Sequence, residues 1–172
     1  MIDIQYSKGW FRARRRSVGS LERGAARKLH DQGKLYTVVA SEADHPLAFM
    51  EIRLEVGFVG VGFLDPQLRE LTSFAFSDRG LDGRRTPPGR CFLQSVILSQ
   101  FDDDTDQAAF GTSYDYDFDG NCRVIHENLR TRQIARSQQN VDVSAHWEAL
   151  PAFGCYEPFL RRERWTPIDV SK

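Results

Sequence analysis

Cysteine is scarce in this chain of 172 residues. The three present, Cys91, Cys122 and Cys155, are scattered, odd in number and never spaced C-x-x-C. That pattern speaks against a disulfide framework and fits a reducing cytosol. Long apolar runs are missing too. No stretch approaches the roughly 20 residues of a membrane-spanning helix, so no membrane partner is expected. The opening residues, Met-Ile-Asp-Ile-Gln-Tyr, carry an acid and no apolar run. They do not read as a signal peptide, and a cytoplasmic location is the expectation. An excess of one charge is also lacking. A formal net charge of -1 argues against a protein built mainly to hold nucleic acid.

Catalytic spacings are equally thin. His30, His45, His126 and His146 form no H-x-H or H-E-x-x-H, and there is no G-x-S-x-G. The acids of Asp102–Asp106 sit in a turn that gives no reason for one carboxyl to be held neutral, as acid catalysis needs. A non-enzyme without metal or cofactor is expected, although folding can still join a distant Cys/His or Asp/His pair.

What the chain has is strand signal. Along Leu47–Val56, Phe49, Glu51, Arg53 and Glu55 share one parity while Met50, Ile52, Leu54 and Val56 share the other. That is a strand with one buried and one wet face. Phe58–Leu64, Leu68–Phe76 and Phe92–Phe101 read as further strands. Gly57, Gly60 and Gly62 weaken a strand unless a bulky side chain comes close or a bulge is needed. Ile2–Tyr6, Trp10–Arg14 and Leu35–Ala40 add candidate strands. Asp119-Gly120 between Ala108–Phe118 and Cys122–Glu127 is a hairpin signal. Leu129–Gln139 fits strand or helix. Ser144–Leu150 fits one or two helical turns.

Ser20–Gln32 reads as a helix, with Ser20 as cap, Gly33 as left-handed stop, and Leu21, Ala25 and Leu29 as its apolar stripe. Ser77–Arg90, with three glycines and two prolines, reads as a long loop of the kind that carries function. The aromatic tail Phe153–Trp165 is expected to pack on the sheet. With about nine strands and one helix, the class expected is α+β. The expected picture is a single domain over residues 1–172, a mainly antiparallel, strongly curved β-sheet with the N-terminal helix packed on it and strands joined by short turns.

Two features bear on function. Asp115-Tyr116-Asp117-Phe118-Asp119-Gly120 opens like a calcium loop, but position twelve is His126 where a bidentate glutamate belongs, and the flanks read as strands. A hairpin explains the same residues. The second feature is charge segregation. Positions 101–120 hold seven aspartates and no Lys or Arg, while positions 8–34 hold nine cations and two acids. These are two opposite surfaces unless they pair with each other.

The order of segments is similar to small immunity proteins of bacterial polymorphic toxin systems, including those of contact-dependent growth inhibition. The likeness is carried by Leu35–Val39, Val59–Asp65, Arg69-Glu70, Phe74–Phe76, Phe92-Leu93, Asp119-Gly120, Trp147-Glu148, Pro151, Phe153-Gly154, Tyr156 and Arg161–Arg164, and covers residues 35–165. It implies a non-enzyme that binds one cognate toxin domain and blocks its active site or substrate approach. The expected contact is Asp102, Asp103, Asp104, Asp106, Asp115, Asp117 and Asp119 with Tyr114 and Tyr116, carboxylates steering a basic partner and aromatics anchoring it. The Ser77–Arg90 loop is the second candidate surface. Two alternatives stand beside this: a small-molecule-binding or enzymatic sheet domain with a phenylalanine-lined pocket, and a nucleic-acid-binding regulatory module using Lys8–Lys34.

Overall fold

The structure, a computed structural model, describes residues 2–102 and 105–168. Among them the chain forms eleven strands and one α-helix: β1 (Ile2–Phe11), β2 (Arg16–Leu21), α1 (Arg23–Asp31), β3 (Tyr36–Glu42), β4 (His45–Arg53), β5 (Phe58–Leu64), β6 (Glu70–Ser77), β7 (Arg90–Phe101), β8 (Ala108–Tyr116), β9 (Asn121–Asn128), β10 (Gln133–Asn140) and β11 (Trp147–Ala149). All belong to one antiparallel sheet in the order β10-β9-β8-β7-β6-β5-β4-β3-β1-β2, with β11 on β7. No helix among the described residues is long and apolar enough to cross a membrane.

The sheet is open and not strongly curled, which corrects the expected strong curvature. Its end strands β2 and β10 each pair on one side only, so the edges never meet. The expectation of short turns throughout is also corrected. The α1 segment carries the chain from β2 past β1 to β3. This helix begins at Arg23, because pairing with β1 keeps Ser20 and Leu21 in strand. Gly33 closes it at φ +69°, as its position suggests.

Alternation decides what is buried. Met50 and Ile52 of β4 lie beside Val61 and Val59 of β5, which lie beside Phe74 and Phe76 of β6. All six are buried on one face. On the other face Phe49 sits opposite Gly62, and Trp10 stacks on Phe49 with centroids 5.2 Å apart. A Cβ on Gly62 would overlap the Phe49 ring, so this glycine marks a close side-chain approach.

Residues 150–168 run across the core face and help to cover it. Tyr156 joins a hydroxyl chain: His30 Nδ1 lies 2.9 Å from the Tyr36 hydroxyl, which lies 3.3 Å from that of Tyr156. Phe159 meets Phe76 edge-on at 5.0 Å. The Trp165 Nε1–H donates to the Tyr116 hydroxyl at 2.7 Å. The β1–β2 hairpin instead reaches the opposite face. There Arg12 bonds Glu51 of β4 and Glu70 of β6, each at 3.0 Å.

Candidate functional site

The β8–β9 hairpin sorts its residues by parity. Tyr114 and Tyr116 point into the core and are only 3% and 1% exposed. They are therefore not the surface anchors expected of them, because a strand with one buried face must alternate. Asp115, between them, faces the opposite side. Its Oδ2 accepts from Arg123 Nη2 at 2.7 Å, directly across the ladder, and its Oδ1 accepts from Ser95 Oγ at 3.0 Å.

Asp117 builds the turn. Its Oδ1 accepts the backbone N–H of Asp119 and of Asn121, both at 2.9 Å, and its Oδ2 accepts from Asn121 Nδ2 at 2.7 Å. Gly120 follows at φ +88°, with the Val141 carbonyl where a Cβ would sit. The Asp-x-Asp-x-Asp-Gly run thus serves a hairpin. Partial burial alone would raise the Asp117 carboxyl, but the Asn121 and Asp119 donors outweigh it and hold it low. Asp117→Ala is expected to cost about 1–2 kcal/mol in urea denaturation at neutral pH. A depressed folded pKa stabilises above the unfolded value of about 4 and stops doing so as pH falls through the folded one. The penalty should therefore shrink on acidification.

Asp119 is the link to the loop between β6 and β7. Its carboxylate takes Arg84 Nη2 at 2.7 Å and Nη1 at 3.4 Å. Arg84 also bonds Asp82 at 2.5 Å and lies over the Phe118 ring at 5.3 Å. Inside the loop, Gly80 N–H donates to Arg84 O and Thr86 N–H to Asp78 O. The loop is thereby folded on itself and tied to the hairpin turn. Loop and strands enclose an open groove of about 550 Å³, lined in part by Leu81, Asp82, Asp115, Asp117, Arg123 and Gln138. Leu81 stands at its rim, 54% exposed.

The remaining acids lie elsewhere. Asp102 pairs with Arg130 and Asp106 with Arg15. Asp103 and Asp104 lie outside the described residues. Nine residues of β8, roughly 30 Å of extended backbone, separate Asp106 from the turn at Asp117. One continuous acidic contact, as expected, is therefore corrected to two sites at opposite ends of a strand. The charge segregation is partly cancelled as well. Among the described residues, Arg15 is the one cation of the Lys8–Lys34 set that pairs with the acidic segment, and Arg84, Arg123 and Arg130 pair with it as well.

Arg123 and Gln138 are groove residues that sequence reasoning missed; Leu81, Asp82 and Arg84 lie in the Ser77–Arg90 loop expected as the second surface, without having been singled out. Counting register outward from Asp119 sets Arg123 opposite Asp115. Leu81 is the one large aliphatic side chain in Ser77–Arg90. Both signals were present.

No family model, curated protein or solved structure matches this chain. The groove is read from its own residues. Cys91, Cys122 and His146 have structural surroundings. Burial pushes the Cys91 thiol up to about 12 and the Cys122 thiol up to about 11. His146 is buried, its Nδ1–H donating to the Leu93 carbonyl at 3.0 Å, and burial lowers its pKa. A second hollow of about 300 Å³ on the open face holds Glu70, whose carboxyl burial pushes up despite Arg12. Arg12 occupies both Glu70 and Glu51 there, tying the β1–β2 hairpin to the sheet.

Proposed function

We propose that this protein is a cytoplasmic immunity protein, a non-enzyme that binds a cognate toxin domain and occludes its active site or substrate approach. The observation that supports this most is the groove. Two segments distant in sequence are joined where Arg84 pairs with Asp119 and lies over Phe118, and a surface held in its binding geometry before a partner arrives lowers the entropic cost of binding. Its rim offers Leu81 as an apolar anchor. Its wall carries Asp82, Asp115 and Asp117 against Arg123, an acidic excess that suits a basic contact surface.

The reading also revises which acids matter. Asp82 and Asp115 take the steering role, Leu81 replaces the buried tyrosines as anchor, and Asp102 and Asp106 fall outside the contact. Stopped-flow association with the product of the neighbouring gene, the candidate toxin, tests it. Asp82→Lys with Asp115→Lys should slow association about tenfold or more at low salt and flatten its salt dependence. Unchanged rates would remove the groove as the contact.

A further inference from the structure

The β1–β2 hairpin has two faces, and only one is used. Trp10, Arg12 and Arg15 are turned toward the sheet, where they meet Phe49, Glu51 with Glu70, and the Gln67 carbonyl. Phe11 and Arg16 are cross-strand partners, as are Gly9 and Val18, so these four share the outward face. Arg14 lies over the Phe11 ring at 5.6 Å and joins them. Phe11 is 44% exposed and Val18 46%. Among the described residues, Arg14, Arg16 and the neighbouring Lys8 have no carboxylate within ion-pair distance, unlike Arg12 and Arg15 on the same ribbon.

An exposed aromatic ring flanked by unpaired cations is the combination by which single-strand binders stack bases and neutralise phosphates. From this we infer that the hairpin's outward face is a contact for single-stranded nucleic acid, recognised through its phosphodiester backbone and base faces without sequence preference. The overall net charge of -1 hides this patch, because acids elsewhere in the chain offset the hairpin's cations in the total; among the described residues, Asp106 meets the hairpin at Arg15 and leaves Arg14 and Arg16 unpaired. The site shares no residue with the groove and does not depend on the proposed function.

Fluorescence anisotropy with labelled oligo-dT tests the inference. Each neutralised phosphate on a single strand adds about 0.7 to the log–log salt slope, so three cations give a slope near −2 and a loss of roughly 15- to 20-fold between about 50 and 200 mM salt. Arg14→Ala with Arg16→Ala should weaken binding about tenfold and flatten the slope. Phe11→Ala should weaken it about fivefold or more with the slope kept, since stacking carries no counterion release. Arg14→Lys with Arg16→Lys should retain the slope and shows that the alanine effect is charge. Arg136→Ala with Arg162→Ala, two exposed cations elsewhere, is the equal-charge control. No binding at low salt would overturn the inference, and so would equal loss in the control. Binding to phosphatidylserine vesicles that requires Phe11, with none to oligo-dT, would assign the patch to a membrane surface instead and overturn it too.

Discussion

Phe159→Ala is expected to lower stability by about 4 kcal/mol. The ring is 1% exposed and packs edge-on against Phe76 in the middle of the sheet. Truncation removes its apolar burial and leaves a cavity between two rigid layers, because the sheet cannot collapse onto a tail that is anchored on both sides. Tyr156 holds one side through Tyr36, and Trp165 the other through Tyr116. Domains of this kind have only about 5–15 kcal/mol in total, so the variant should show a clearly lower urea midpoint with a similar slope. A cost under about 1 kcal/mol would mean that residues 150–168 merely lie against the sheet and do not complete its core.

Asp65→Ala should cost about 3 kcal/mol by a different route. Asp65 is buried at the end of β5. Its Oδ1 accepts the N–H groups of Gln67 at 2.9 Å and Arg69 at 2.8 Å, and its Oδ2 takes Arg69 Nε at 2.6 Å. Alanine would strip one partner from a mostly buried guanidinium and unseat two turn amides. Those amides sit around Leu68, a non-glycine residue at φ +60° that the turn must hold in place. Burial by itself would raise the Asp65 carboxyl, but the Arg69 amide, its guanidinium and the Gln67 amide outweigh that and hold it low. The stabilisation is therefore complete at neutral pH and is lost as pH falls from about 4 through the lower folded value. Wild type and Asp65→Ala should converge in melting temperature on acidification; a gap that stays constant would contradict this origin. Asp65→Asn, which keeps an acceptor for the amides, should fall between them.

The central strands were legible because their burial is one-sided. Met50, Ile52, Val59 and Val61 alternate cleanly, and Asp119-Gly120 placed the β8–β9 turn. The edge strands were not. Arg16–Leu21 and Gln133–Asn140 are held by backbone pairing to one neighbour, and almost every side chain in them is exposed, so no apolar period marks them. The helix start was misplaced because Ser20 is an equally good cap and strand residue by type, and pairing with β1 decides. At the site, the acids of the hairpin were found but their surroundings were not. Tyr114 and Tyr116 were grouped with Asp115 by adjacency, although alternation separates them. The Arg84 tether joins residues 35 positions apart, which no local pattern encodes.

Growth rescue tests the central claim most directly. Cells expressing the product of the neighbouring gene, the candidate toxin, would receive wild-type protein, a Leu81→Asp, Asp82→Lys, Asp115→Lys variant, or a Phe11→Ala, Arg14→Ala variant, with folding checked by melting. The groove reading predicts growth and a co-purifying complex with wild type and with the hairpin variant, and loss of both with the groove variant. Full rescue by a folded groove variant would contradict it.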